Sequence, residues 1–204
     1  MFEWIKSKFT QSLLRIIYEK PAIWKIRSSL LAQADGNILE IGFGSGGNLR
    51  FYPDAVTHIT AIDPKAGKIP KSRIDVKLFY DSAEKMPFPD SSFDTVITTF
   101  TLCSTENPDQ VFKEIRRVLK PDGKYLFLEH GQADNEPGFV MQRRFNPIYQ
   151  RFSHGCSLLR VNTELFESSG FILESYQEFR GAIFPQILGG YLYQGVGIKQ
   201  AETA

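Results

Sequence analysis

Four glycines directly after a short apolar run constrain the fold of this chain more than any other feature of its sequence. The run spans residues 37–41, and it is followed by Gly42, Gly44, Gly46 and Gly47. Such a run predicts a buried strand, and glycine permits the tight turn that lets a ligand touch the backbone. The first, second and fourth glycines fit the G-x-G-x-x-G pattern of dinucleotide sites, whereas the first three fit G-x-G-x-G. The loop alone leaves both patterns open, together with a turn that binds no ligand.

Further apolar runs alternate with helical stretches along the chain. Four of these runs predict strands, at residues 58–63, 75–80, 93–99 and 124–129. Apolar side chains on one face predict a helix over residues 109–119, and we expect another helix to begin near Asn48. Strands that alternate with helices are typical of an α/β fold with a parallel sheet.

The C-terminal part of the chain departs from this alternation. Residues 134–160 are predicted to be irregular or helical, and residues 162–169 to form a helix closed by Gly170. Two further strands are predicted at residues 171–180 and 190–199. Because they follow one another closely, we expect them to pair antiparallel at the end of the sheet.

Composition and charge exclude several classes of function. The chain has 204 residues, 42% of them hydrophobic, so we expect one core that needs no disulfides. The net charge of +1 argues against binding of nucleic acid, even by the aromatic- and arginine-rich residues 142–152. Cys103 and Cys156 form no Cys-x-x-Cys motif, so the sequence predicts no metal site and a reducing, cytoplasmic location. No apolar run of roughly 18 residues predicts a membrane-spanning helix.

Two acidic residues beside the glycines narrow the choice of ligand. Glu40 lies two residues before Gly42, where a carboxylate would repel a pyrophosphate but would suit an ammonium group. Asp63 ends the second predicted strand, where an acid can accept hydrogen bonds from both hydroxyls of a ribose. The chain also lacks a Tyr-x-x-x-Lys pair, which removes one common kind of dehydrogenase.

Together these features resemble the class I S-adenosylmethionine-dependent methyltransferases over roughly residues 36 to 199. The matching segments, in chain order, are residues 39–46, 61–63, 83–94 and 114–123. The resemblance implies a Rossmann-like, seven-stranded sheet with an antiparallel last strand. It also implies that S-adenosyl-L-methionine is the cofactor and that a methyl group is transferred.

The resemblance further implies a set of residues around the cofactor. These are Glu40, Gly42, Gly44, Gly46, Asp63, Pro64, Ser82, Ala83, Phe100, Thr101 and Cys103. The glycines would contact the methionine portion, Glu40 would orient it, and Asp63 would accept the ribose hydroxyls. Ser82 stands where the family usually has an aspartate that binds the adenine amino group, so Asp81 or Glu84 is the expected substitute.

A narrower resemblance points to the acceptor. Residues 101–104, 125–130 and 155–160 are similar to the small-molecule thiol S-methyltransferases of the methyltransferase-like group. This implies a small, apolar acceptor, with a thiol preferred. Phospholipid and quinone methyltransferases share the same core and remain alternatives. A cofactor-binding interaction protein without catalysis is the alternative from a different class.

A thiol acceptor has to become a thiolate, which a nearby base assists. His130 is the first candidate, because the end of a central strand opens onto the cofactor cleft in doubly wound sheets. His154 is the second, in a segment expected to cover the site. For both, a histidine held by the backbone is the alternative. Cys103 has an ordinary buried side chain as its alternative, and Asp94 is expected to anchor a turn.

Residues 1–35 are predicted to form a helical lid ahead of the methyltransferase domain at residues 36–204. The helix is expected to break near Pro21, and its basic residues outnumber its acidic ones. Two interpretations stay open for residues 1–20: a lid that lines an apolar acceptor pocket, which we favour, or an amphipathic helix at a membrane surface.

Overall fold

The computed structural model describes residues 21–153, 155–161, 163–180 and 191–199. Within these ranges the strands are β1 Ile38–Ile41, β2 His58–Ile62, β3 Asp75–Phe79, β4 Phe93–Thr99, β5 Leu119–His130, β6 Phe171–Arg180 and β7 Tyr191–Lys199. The helices are α1 Pro21–Leu31, α2 Pro108–Val118, α3 Glu136–Phe152 and α4 Thr163–Glu167, and a 3₁₀ turn spans Leu102–Ser104.

The described strands form one mixed sheet in the order β3-β2-β1-β4-β5-β7-β6. Strands β1 to β5 pair in parallel, whereas β7 runs antiparallel to both β5 and β6. This confirms the Rossmann-like, seven-stranded sheet with an antiparallel last strand. The chain order reverses direction between β1 and β4, so the carboxyl ends of these strands border the crevice in which such sheets bind ligands.

An apolar layer covers each face of the sheet. Successive strand residues point to opposite faces, so Leu126 and Leu128 belong to one buried cluster while Tyr125 and Phe127 belong to the other. Helix α2 packs on the second of these layers through four buried side chains, Val111, Phe112, Ile115 and Val118. Helix α1 packs on the first through Ile23, Leu30 and Leu31. Coverage of both faces is typical of parallel sheets.

Two details of the sequence prediction were wrong. No helix begins near Asn48, because residues 44–51 form successive turns in which Leu49 N donates to Gly46 O and Phe51 N to Asn48 O. The side chain of Asn48 instead donates buried hydrogen bonds to Glu40 and Thr99. Strand β5 also begins at Leu119 rather than at residue 124, because Leu119 already pairs with Phe93, and the register then shifts before Thr95 pairs with Lys124.

The predicted lid is described in part. The structure describes helix α1 of this lid, and its buried side chains Ile23, Leu30 and Leu31 belong to the core. Residues 1–20 and residue 190 of the predicted last strand lie outside the described residues. In the ranges that the structure does describe, none of the helices has the length and apolar character needed to cross a membrane.

Candidate functional site

The glycine loop after β1 adopts a backbone that favours glycine at three positions. Gly42, Gly44 and Gly46 have φ angles of +78°, +56° and +75°, whereas Gly47 is outside this left-handed region, so the structure matches the G-x-G-x-G pattern. A Cβ added to Gly42 would clash with Thr101 Oγ1, but nothing lies within 4 Å of one added to Gly44. The backbone at Gly44 therefore faces open space in which a ligand can lie against it.

Asp63 follows β2 and is fixed beside this loop. Its Oδ2 accepts a hydrogen bond from Gly44 N at 2.7 Å, and its Oδ1 accepts one from Lys65 N at 2.7 Å. A carboxylate has about four acceptor positions, so both oxygens retain capacity for hydroxyl groups. The neighbouring Pro64 is exposed.

Glu40 is buried at the end of β1. Tyr52 donates to its Oε2 at 2.7 Å and Asn48 Nδ2 donates to its Oε1 at 3.0 Å. Burial raises the pKa of Glu40 to about 7, against the opposing effect of these hydrogen bonds. The Oδ1 of Asn48 is buried and has no hydrogen-bond partner within the described part of the chain. Glu40 thus offers a titratable carboxyl group, and Asn48 offers an acceptor oxygen, Oδ1, that is not yet used. Both are suited to a cationic ammonium group.

The backbone after β4 is held by a residue that the sequence analysis missed. Glu129 is fully buried in β5, and its Oε2 accepts hydrogen bonds from Thr101 N at 2.8 Å and Leu102 N at 3.2 Å. Burial raises the pKa of Glu129 to about 7. Thr101 Oγ1 also donates to Ile41 O, which joins the ends of β1 and β4. Glu129 lies within the matching segment 125–130 and beside His130, and these are the signals in the sequence that could have identified it.

Phe100 occupies an unusual backbone conformation at the same edge. Its φ is +54°, a left-handed value that costs energy in a residue other than glycine and is enriched at functional sites. The ring stacks on His130 with 6.1 Å between centroids, and the Arg27 guanidinium lies 5.2 Å from its centre. Helix α1 therefore borders the site through Arg27.

His130 and two cysteines form a buried cluster at the end of β5. Cys156 Sγ lies 2.8 Å from His130 Nε2 and 2.7 Å from Cys103 Sγ. Burial raises the pKa of the Cys103 thiol. Burial alone would lower the pKa of His130, but its interactions with Cys103 and Glu129 outweigh burial and raise it. Nδ1 of His130 lacks a hydrogen-bond partner in the described ranges. The second predicted base, His154, lies outside the described residues.

The predicted adenine side contains Ser82 and its neighbours. Ser82 is exposed, and its Oγ lies 3.1 Å from a carboxylate oxygen of Glu84. Glu84 also accepts hydrogen bonds from two backbone amides of the loop before α2, which lower its pKa. Ala83 is buried in the core, whereas Asp81 is exposed. Asp81 and Glu84 are the two candidates to replace the family's aspartate at this position. In the described contacts Glu84 holds the loop before α2, whereas Asp81 holds no structural element.

Asp94, which was predicted to anchor a turn, takes a structural position. Asp94 accepts hydrogen bonds from Asn37 N and Lys120 Nζ, each at 2.8 Å, and these interactions lower its pKa. This agrees with the anchoring role expected for it. His58 is exposed at the start of β2, at the opposite edge of the sheet from His130.

Comparison with known sequences relates this chain to methyltransferases. The family model described as "Methyltransferase domain" matches residues 39–127. Human thiol S-methyltransferase TMT1A is 29% identical over 98% of this chain and 89% of its own length. Human thiol S-methyltransferase TMT1B is 32% identical over 69% of this chain and 63% of its own length.

Relatives with other acceptors match shorter stretches. A ubiquinone/menaquinone biosynthesis C-methyltransferase of Rubrivivax gelatinosus is 32% identical over 64% of this chain and 51% of its own length. A phosphatidylethanolamine N-methyltransferase of Cereibacter sphaeroides is 30% identical over 50% of this chain and 54% of its own length.

Solved structures share the fold at low sequence identity. A SAM-dependent methyltransferase of Thermotoga maritima has a TM-score of 0.64 at 19% identity, over 98% of this chain and 100% of that one. The Burkholderia thailandensis 1,6-didemethyltoxoflavin-N1-methyltransferase, solved with bound S-adenosylhomocysteine, has a TM-score of 0.62 at 17% identity, over 96% of this chain and 88% of that one.

Proposed function

Because this chain belongs to the class I S-adenosylmethionine-dependent methyltransferases, we propose that it transfers the cofactor's methyl group to the sulfur of a small, apolar thiol. The observation that carries the choice of a thiol is the extent of the match to human thiol S-methyltransferase TMT1A. That match covers 98% of this chain, including the residues beyond 127 that the domain model leaves out. The quinone and phospholipid enzymes match 64% and 50% of the chain.

The residues at the strand ends fit the cofactor. The open space at Gly44 can accept the methionine portion, and the unused acceptor of Asn48 beside Glu40 suits its ammonium group. We assign Asp63 to the ribose hydroxyls, because both of its oxygens keep free acceptor positions, and Asp81 to the adenine amino group. When bound, the sulfonium supplies an already activated methyl group. The chain's own residues then have to orient the acceptor and exclude water.

The acceptor side is proposed to lie around His130. Phe100 stacks on the imidazole ring, and Tyr149 of α3 contacts it edge-on with 6.3 Å between centroids. These aromatic rings provide an apolar wall for a small acceptor. His130 is only 3% exposed, so water has little access to it. We assign His130 to the activation of the acceptor thiol and helix α1, with the residues before it, to a lid over the site.

The test is detection of S-adenosylhomocysteine by mass spectrometry after incubation of the full chain with cofactor and one acceptor at a time. The acceptors are small alkyl and aryl thiols, phenols, quinols and dispersed phospholipids. We expect product with thiols and none with matched phenols of the same shape. Product with quinols or phospholipids, and none with thiols, would overturn the thiol assignment.

A further inference from the structure

Three potential metal ligands converge beside the proposed acceptor site although they are far apart in the sequence. Cys103 belongs to the 3₁₀ turn after β4, His130 ends β5 and Cys156 follows α3. Their Sγ and imidazole nitrogen atoms all lie within 4.8 Å of one another. The residues are 1%, 3% and 6% exposed, respectively. The sequence predicts no metal site because these residues form no Cys-x-x-Cys motif.

We propose that Cys103, His130 and Cys156 bind one zinc ion. Thiolate and imidazole are the ligands that zinc prefers, and three protein ligands with an open fourth position are typical of catalytic rather than structural zinc. Zinc–sulfur bonds of about 2.3 Å in a tetrahedral site place two sulfurs about 3.8 Å apart. The two Sγ atoms lie 2.7 Å apart. They would therefore have to move about 1 Å further apart to bind the ion in this geometry. Each thiol releases its proton as the ion binds, and two thiolates balance its charge.

A disulfide between the two cysteines is the competing use of the same atoms. It would account for Cys103 and Cys156 but would leave His130 Nε2 buried against a disulfide, which offers it only a weak partner. A buried polar atom without a good partner is costly. A zinc ion, in contrast, would bond to both sulfurs and to Nε2 of His130 at once. The participation of His130 therefore favours the metal.

The position of the cluster suggests what the open coordination site is for, and this step rests on the proposed thiol acceptor. Phe100, which stacks on His130, precedes Thr101, which packs at the backbone of Gly42 in the cofactor loop. A thiol that binds as the fourth ligand would release its proton to solvent as it enters the cleft, before water is excluded, and would remain as a thiolate. The new carbon–sulfur bond forms as the methyl–sulfonium bond breaks, and the thioether product is neutral. A neutral thioether is a weaker ligand than a thiolate, so it can leave.

The experiment measures zinc bound to the purified full chain by elemental mass spectrometry, after dialysis against buffer with a trace of zinc. We expect about one zinc per chain in the wild type, and a loss of most of it in Cys103→Ser and Cys156→Ser. His58→Ala is the matched control, because this histidine is exposed at the other edge of the sheet, and it should retain the zinc. Cobalt substitution provides a second readout, since thiolate ligands give a charge-transfer absorption that each serine variant should weaken.

Three results would contradict the proposal. One is a wild-type chain that binds S-adenosylhomocysteine but no zinc or cobalt. Another is equal zinc content in the wild type and both serine variants. The third is a pair of cysteines that resist alkylation under denaturing conditions until a reductant is added, which would identify a disulfide. If the serine variants fail to fold, the wild-type metal content and cobalt spectrum still decide the question.

The same samples separate this proposal from the proposed function. Zinc bound in the expected ratio, without product from any thiol, would refute the thiol acceptor and leave the metal site standing. Equal thiol methylation by zinc-free and zinc-loaded protein would refute the role of zinc and leave the thiol acceptor standing, with Nδ1 of His130 as the proton acceptor.

Discussion

Replacement of Glu40 by glutamine is expected to remove a pH dependence from the stability of the protein. Glu40 is 1% exposed, and its carboxyl group is held by Tyr52 and Asn48. Burial raises its pKa from 4.5 to about 7. The folded protein therefore binds this proton more tightly than the unfolded chain does. Glu40→Gln keeps the shape of the side chain but cannot be ionised.

The size and sign of the effect follow from that shift in pKa. A rise from 4.5 to about 7 is about 2.5 units, and each unit corresponds to about 1.4 kcal/mol, so the total is about 3 kcal/mol. Because the pKa is raised on folding, this stabilisation is fully present below the unfolded pKa of 4.5 and is lost as the pH rises through about 7. The wild type should thus lose about 3 kcal/mol more than Glu40→Gln between about pH 4.5 and about pH 8.

Urea denaturation of both proteins at intervals across this range measures the difference. Glu84→Gln is the control, because backbone hydrogen bonds lower the pKa of Glu84. Its contribution is present above the ordinary carboxyl pKa and is lost only as the pH falls through the lowered value, so it should not alter the slope above about pH 5. Parallel curves for the wild type and Glu40→Gln would refute the reasoning, since they would mean that Glu40 titrates at its ordinary pKa.

Three further predictions concern the cofactor loop, the acceptor site and the N-terminus. Gly44→Ala should lower the free energy of unfolding by about 1–2 kcal/mol, because the φ of Gly44 is left-handed. Calorimetry should also show S-adenosylhomocysteine binding weakened about tenfold. Gly42→Ala should destabilise the fold more, because the added Cβ would clash with Thr101. His130→Ala should lower kcat more than it lowers cofactor affinity, with His58→Ala as the control, and equal turnover would remove the assigned role. If residues 1–20 are a lid, the chain should not float with anionic vesicles, and strong co-flotation would support a membrane helix instead.

Local patterns in the sequence were enough to predict most of the sheet. Strand β4 was predicted with its observed bounds, and β1 and β3 were predicted to within one residue. The errors arose where contacts distant in sequence decide the local structure. Asn48 Nδ2 donates hydrogen bonds to Glu40 Oε1 at 3.0 Å and to Thr99 Oγ1 at 2.9 Å. The segment around Asn48 forms turns instead of a helix. No periodicity of the sequence carries that information.

The glycines and acids of the cofactor loop were predictable because they stand close together in the sequence, but the acceptor side was not. Its geometry depends on which strands are neighbours and in what register. Thr99 of β4 pairs with Leu128 of β5, so the backbone that follows Thr99 meets Glu129, and the chain beyond it reaches His130. Cys156 arrives from after α3, a placement that no spacing in the sequence predicts. If the zinc site is confirmed, the register of β4 against β5 will have brought Cys103 beside His130, and the segment after α3 will have supplied the third ligand.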